Sequence, residues 1–329
     1  MATLRWGILG PGRIAPRLVR AVSGCDRGEL VAVASRDRDR AAAFAAAHGI
    51  RQAFGSYDAL LAAPDVDVVY VSLPNHLHAE WTIRALEAGK HVLCEKPVAL
   101  SVGQVDAIAA AAERGGRLAV EAFMYLHHPQ ILRAIELARG GALGRLVLVN
   151  GTFSFPLTHV GDPRVDPAMG GGSLWDVGCY PVSLARRIAG EEPDAVGAFA
   201  RFDGRGVDRT FIGQLHFPGG LLAQFDSGFG APDRERVEIV GSDATLVLDS
   251  PFLPAPDGPP PSLAMWRGRA ATRIDVTSVD QYGAEVEDLT AAILEGTPPR
   301  VDLAFSRGTI ATLVDLDRAA RVNAGLAAG

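Results

Sequence analysis

Over residues 1 to about 121, short apolar runs alternate with helical stripes. Leu4–Leu9 reads as a strand, and Ile14, Leu18, Val19 and Val22 then share one helical face. Leu30–Ala34 reads as the next strand. A second helix carries Ala41, Phe44, Ala45 and His48 on one side and stops at Gly49. Asp67–Leu73 is nearly all apolar and rich in valine, as a parallel strand covered on both faces requires. A helix from about His78 to Ala88 stops at Gly89, and His91–Cys94 is a further strand. Ser101-Val-Gly-Gln104 matches a capping box at the head of an alanine-rich helix, and Arg117–Val120 is the last strand. Strand and helix in strict alternation predict an α/β, doubly wound parallel sheet of Rossmann type.

After about residue 122 the pattern changes. Helices are expected at Gln130–Ala138 and Leu174–Ile188. Strands then follow one another: Leu146–Phe155, Asp194–Phe202, Thr210–Phe217, Leu221–Asp226, Arg236–Val240, Thr245–Leu248 and Arg273–Val276. Gly219-Gly220 is a hairpin turn between two of them. Residues 251–261 hold six prolines and predict a solvent loop of polyproline character. Helical periodicity returns at about 281–295 and 303–322. The expected architecture is a first domain, 1–121, and a C-terminal α+β domain, 122–329, built on a large, mostly antiparallel open sheet. A length of 329 residues suits two domains.

Composition narrows the function classes. The net charge of −6 argues against a nucleic-acid binder, and no run of 18 apolar residues suits a membrane span. Cys25, Cys94 and Cys179 are odd in number and far apart, which suits neither a disulfide framework nor a metal site. The first residues enter a strand at once, without the regions of a secretory signal, so the expected location is cytoplasmic.

The first strand runs into Gly10-Pro11-Gly12-Arg13-Ile14-Ala15, a GxGxxA at a strand-to-helix turn. Gly10 permits the tight turn, Gly12 lets backbone approach a pyrophosphate, and Ala15 allows close helix packing. A dinucleotide fingerprint usually places Asp or Glu about 20 residues further on, to hold the ribose hydroxyl. Here Ser35 and Arg36 stand there, a pair that would accept a 2′-phosphate, which favours NADP over NAD. Asp37 is better placed to cap the next helix. Leu73, Pro74, Asn75, His76 and His78 follow a strand at its carboxyl end, where such sheets bind ligands, and Glu95 and Lys96 do the same one strand on. His76-x-His78 as a metal pair is disfavoured, since no further ligand cluster accompanies it; no metal is expected. In the second half, Asp176 and Tyr180 are four apart behind Gly170-Gly171-Gly172 and project from one helix face. By spacing alone they divide evenly between site and packing roles.

Together these segments resemble the glucose–fructose oxidoreductase, inositol dehydrogenase and rhizopine-catabolism (Gfo/Idh/MocA) family. The likeness rests on WGILGPGRIA at 6–15, VDVVYVSLPNHLHAE at 66–80, GKHVLCEKPVAL at 89–100 and GGGSLWDVGCYPVSLAR at 170–186. EAFMYLHHPQ at 121–130 and DVGCYP at 176–181 are most similar to its branch of NADP-dependent D-xylose dehydrogenases and dimeric dihydrodiol dehydrogenases. The resemblance implies hydride transfer between a nicotinamide cofactor and a carbinol or carbonyl carbon of a sugar or polyol. It maps catalytic roles onto Lys96, Asp176 and Tyr180, with Tyr180 as general acid/base. Tyr125, His128, Phe155 and Arg164 are weaker candidates for the substrate wall. A homo-oligomer through the C-terminal sheet is expected, with no nucleic-acid or membrane partner. Two rivals stand beside this reading: a ketoreductase of a nucleotide-linked keto-sugar, and a non-catalytic NADP-binding regulator.

Overall fold

The computed structural model describes residues 2–159, 161–254 and 261–326. The chain forms two compact units. One comprises residues 1–127 together with 280–307, the other 128–279 together with 308–329. A single cut near residue 121 therefore does not describe the path, because a late segment returns to the first unit.

The first unit holds six parallel strands: β1 (Leu4–Leu9), β2 (Gly28–Ala34), β3 (Gln52–Phe54), β4 (Val68–Val71), β5 (His91–Glu95) and β6 (Ala119–Ala122). Their order is β3-β2-β1-β4-β5-β6, the dinucleotide-binding order, with its switch point between β1 and β4. All four residues of β4 are buried, as expected of a strand covered on both faces. The connecting helices are α1 (Ala15–Ser23), α2 (Arg38–His48), α3 (Tyr57–Leu61), α4 (His78–Glu87) and α5 (Val102–Gly115). Their ends follow the expected chemistry. Asp37 accepts from the Asp39 and Arg40 amides, and Gly49 closes α2 in the left-handed conformation. Ser101 accepts from the Gln104 amide, while the Gln104 side chain accepts from the Leu100 amide. Strand β3 and helix α3 carry too short a pattern to stand out in the sequence. The last strand lies two residues later than expected, because the Arg117 side chain turns out to the Gly89 carbonyl (2.6 Å).

The second unit opens with α6 (Pro129–Arg139) and contains α7 (Cys179–Ala189). Its eight strands are β7 (Leu146–Ser154), β8 (Ala195–Phe202), β9 (Asp208–His216), β10 (Leu222–Gly228), β11 (Arg234–Gly241), β12 (Thr245–Asp249), β13 (Ser262–Arg267) and β14 (Ala270–Asp275). They run in the order β14-β13-β12-β11-β7-β10-β9-β8, antiparallel except where β7 meets β10. The Gly219-Gly220 turn joins β9 to β10, with Gly220 at φ +84°. Strand β13 was not apparent in the pattern: Leu263 and Met265 face inward, but Trp266 is 41% exposed. Of the proline-rich segment, residues 255–260 lie outside the described residues. Helices α6 and α7 pack on the sheet. The sheet also exposes Phe199, Ile212 and Leu222, with Phe199 directly opposite Ile212 on the neighbouring strand.

Helix α8 (Gln281–Glu295) packs on α1 in the first unit, and α9 (Leu303–Asn323) starts in the first unit and ends in the second. Among the described residues no helix is long and apolar enough to cross a membrane.

Candidate active site

The glycine-rich turn is built from the switch point outward. Gly10 sits at φ +88°, and a Cβ there would come within 2.8 Å of the Leu73 side chain and 3.1 Å of the Ser72 carbonyl. Its amide donates to the Ala34 carbonyl (2.9 Å), and the Ser72 hydroxyl donates to the Gly10 carbonyl (2.6 Å). At Gly12 a Cβ would meet only the Ser72 carbonyl, at 3.6 Å, so this backbone stays open to close approach. Ala15 is fully buried, and no side chain caps the start of α1. A tight glycine turn beside an uncapped helix start matches the needs of a pyrophosphate, so these residues fit a dinucleotide. Arg13 is exposed and Ile14 half-buried at the same turn.

At the end of β2, Ser35 is buried and its hydroxyl accepts from the Asp37 amide (3.2 Å). Arg36 is exposed. Asp37 is committed to capping α2. Arg40, which sequence reasoning passed over, donates to the Pro11 carbonyl (2.9 Å) and so brings a second guanidinium to the glycine turn. The signal for it lay in the alternating Ser-Arg-Asp-Arg-Asp-Arg run at 35–40.

The two remaining strand ends are joined by His78. This histidine is 1% exposed, and its ring nitrogens each lie 2.7 Å from a carbonyl oxygen, Nδ1 from Pro97 and Nε2 from Leu73. Burial lowers its pKa. The neutral ring carries one N–H and donates to one of these two carbonyls while packing against the other, so His78 ties the segment after β4 to the segment after β5. Among the described residues no group of three His, Cys, Asp or Glu side chains could hold a metal ion. His76 is exposed, while Pro74 and Asn75 are half-buried. Glu95 and Lys96 are half-buried at the end of β5, and the Tyr70 hydroxyl donates to Glu95. The Val98 amide donates to buried Glu121 (2.9 Å), fixing the segment after Lys96 from its other side.

In the second unit Asp176 lies in a wide π-helical turn, Leu174–Gly178, that runs directly into α7; such turns often occur at functional sites. Asp176 is half-buried, with one carboxylate oxygen 3.8 Å from the Arg164 guanidinium. Arg164 is held by both oxygens of buried Asp162 (2.9 Å each) and lies over the Phe155 ring (5.2 Å to the centroid). The hydrogen bonds to Asp162 raise the Arg164 pKa further, so this cation is permanent. Tyr180 is 4% exposed, its ring packed against Phe153 and Phe252 at centroid distances of 5.2 and 5.4 Å. Tyr125 is fully buried and meets Phe123 edge to face. His128 is also fully buried and caps α6 by accepting from the Gln130 amide (3.1 Å). Both therefore serve the interior in this structure, whereas Phe155 and Arg164 remain partly accessible. Asp162 and Asp208, neither of them anticipated, organise this part of the second unit.

Comparison with known proteins agrees with this geometry. Residues 4–123 match the NAD-binding Rossmann fold of the Gfo/Idh/MocA oxidoreductase family, and residues 131–247 match the Gfo/Idh/MocA C-terminal domain. The chain is 38% identical over 327 residues to a D-xylose 1-dehydrogenase (NADP(+)) of Haloferax volcanii, covering 98% of this chain and 99% of that one. The crystal structure of an aldose-aldose oxidoreductase from Caulobacter crescentus superposes with a TM-score of 0.90 at 30% identity, over 98% of both chains. A 3-ketoreductase from Actinomadura kijaniata, in complex with NADP and TDP-benzene, superposes with a TM-score of 0.89 at 33% identity, over 94% of this chain and 96% of that one. That ketoreductase has also been solved with a Tyr-to-Phe and with a Lys-to-Ala change. The chain belongs to the Gfo/Idh/MocA family and is an NAD(P)-dependent oxidoreductase.

Proposed function

We propose that the protein is an NADP-dependent dehydrogenase or reductase of a sugar or polyol. Residues 1–127 with 280–307 would supply the cofactor-binding part, and 128–279 with 308–329 the substrate-binding part. The observation that carries this reading is the glycine turn after β1, set at the switch point of the parallel sheet with an uncapped helix start behind it. When bound, the cofactor supplies the hydride donor or acceptor. Tyr180 exchanges a proton with the reacting substrate oxygen. A tyrosine titrates at about 10, too high for a base near neutrality unless a cation stabilises the phenolate; Lys96 is the candidate for that cation. Asp176, oriented by Arg164, positions the substrate, and Phe155 and Arg164 form part of its wall.

Preference for NADP rests on Ser35, Arg36 and Arg40, and on Asp37 being occupied at its helix cap. Gly10, Gly12, Arg13 and Ile14 hold the pyrophosphate side, and Leu73, Pro74, Asn75, His76 and Glu95 border the nicotinamide side. The exposed apolar pair Phe199 and Ile212, with Leu222, supports a homo-oligomer, dimer or tetramer, closed through this sheet. Three buried free cysteines suit a reducing cytoplasm. Similarity to the Actinomadura ketoreductase keeps a nucleotide-linked keto-sugar as the second reading.

The test is a panel of free aldoses and polyols beside dTDP-linked keto-sugars, with NADP and NAD, read by NADPH or NADH absorbance. Turnover of free sugars, reduced about a hundred-fold or more in Lys96→Ala and in Tyr180→Phe with cofactor affinity kept within a few-fold, is expected. Turnover confined to nucleotide-linked substrates establishes the second reading, and tight NADP binding with no turnover at all identifies a regulator.

A further inference from the structure

Asp208, the first residue of β9, is 3% exposed, yet its side chain reaches the start of the segment that carries Asp176 and Tyr180. One carboxylate oxygen accepts from the Ser173 hydroxyl (2.6 Å) and from the Leu174 amide (2.9 Å). Ser173 would ordinarily cap this helical segment with its own oxygen, but no side-chain cap forms there. Asp208 provides the acceptor from a distant strand instead. The carboxylate fits because residue 172 is glycine: a Cβ at Gly172, which stands at φ +136°, would overlap the other Asp208 oxygen. The Ser173 hydroxyl also lies 3.1 Å from that of Ser227 on β10. One turn later the Asp176 amide donates to the Gly172 carbonyl (3.0 Å), and the Gly171 and Gly172 amides donate to the Asp166 and Arg164 carbonyls (3.0 and 2.9 Å). The turn held by Asp208 therefore sets the backbone of Asp176 and adjoins that of Arg164.

We propose that Asp208 is a positioning residue for the reaction, its carboxylate locking the Gly172–Leu174 turn so that Asp176 is held in its working orientation. The proposal rests on the reading of Asp176 and Tyr180 as groups of the reaction. A purely structural acceptor would be better served by a neutral amide. Burial pushes this carboxyl up to about 7, opposed by the bonds from Ser173 and Leu174 and reinforced by Asp317 of α9, which is itself paired with Arg321. What the carboxylate adds is strength: hydrogen bonds to an ionised acceptor are about twice as strong as neutral ones. The same turn carries the Asp176 amide on the Gly172 carbonyl, so the lock at Asp208 is transmitted to the backbone of Asp176.

The experiment is a graded series at pH 8 on the best substrate of the panel above: wild type, Asp208→Asn, Asp208→Leu and Ser173→Ala, with Asp176→Asn and Tyr180→Phe alongside. Expected is a kcat about three- to ten-fold lower for Asp208→Asn and about a hundred-fold lower for Asp208→Leu, with KM and NADP affinity within about two-fold. Ser173→Ala, which keeps the carboxylate and removes one donor, should fall between wild type and Asp208→Asn. Asp208→Asn should be slower than wild type even though removing the buried charge is expected to stabilise it, and the double variant with Asp176→Asn should lose little beyond Asp176→Asn alone. The proposal is overturned if activity simply ranks with stability, or if Asp208→Asn and Ser173→Ala both retain wild-type kcat. Should Asp176→Asn and Tyr180→Phe themselves remain fully active, or no substrate turn over, the underlying reading fails instead. In every case hydrogen exchange over residues 170–180 still tests the lock, which is refuted if Asp208→Leu leaves that exchange unchanged.

Discussion

Replacing Asp208 by asparagine should make the protein more stable, and increasingly so as the pH rises. The carboxyl titrates at about 7 in the fold, against about 3.9 in an unfolded chain. A raised value in the fold means that the protonated form is favoured there. The corresponding stability is complete below the unfolded value and is lost as the pH climbs through about 7. Asparagine is a permanent stand-in for the neutral form and escapes this loss. Between pH 5 and pH 8 about two pH units of the titration are traversed, so the advantage of Asp208→Asn should grow by about 2–3 kcal/mol at about 1.4 kcal/mol per pH unit. Differences that do not depend on pH, such as an amide N–H without an acceptor, cancel in that comparison. Urea titrations of both proteins at both pH values measure it. Hydrogen exchange over β9 and α7 assigns it to the second unit, since two units need not unfold together. An advantage that is equal at pH 5 and pH 8, or that shrinks, refutes the reasoning.

The arginines after β2 and in the first turn of α2 should select the cofactor: Arg36→Ala and Arg40→Ala are each expected to weaken NADP by about 1–3 kcal/mol while leaving NAD almost unchanged, as fluorescence titration would show. His78→Phe keeps an aromatic ring but removes the N–H that the Pro97 or Leu73 carbonyl accepts, and should cost about 1–3 kcal/mol in urea unfolding and slow turnover through Lys96. At Gly308 a Cβ would overlap the buried Arg186 guanidinium where it meets Glu192, so Gly308→Ala should destabilise by about 2–4 kcal/mol, measured in the same way. Exhaustive chelation should leave activity intact; stoichiometric zinc whose removal abolishes turnover would overturn the expectation that no metal takes part.

The parts of this protein that were legible in the sequence are those whose signal is local. Valine-rich β4, the glycine turn after β1, the Ser101 cap and the left-handed Gly49 stop each follow from a few adjacent residues. Strand β3 is three residues long and half-buried throughout, so no periodicity marks it. The groups missed around the site act at a distance. Asp208 lies 34 residues from the Leu174 amide it accepts, and Arg40 lies 29 from the Pro11 carbonyl. Nothing near either residue in the chain announces its partner. The burial of Tyr125 and His128 was equally invisible, because an aromatic or a histidine near a motif reads the same whether it faces a ligand or the interior.

The return of residues 280–307 to the first unit has a consequence for biosynthesis. A ribosome delivers the six strands of the parallel sheet early, but helix α8, which packs on α1, comes only after the whole of the eight-stranded sheet has been made. Roughly 160 residues separate the last strand of the parallel sheet from α8, which at about 5–20 residues per second is on the order of 8–30 s of translation. Throughout that interval the face of α1 and the Met124–His127 turn that α8 later covers stands open on an otherwise finished Rossmann sheet. A chain stopped anywhere before residue 280 leaves that unit without one of its own helices.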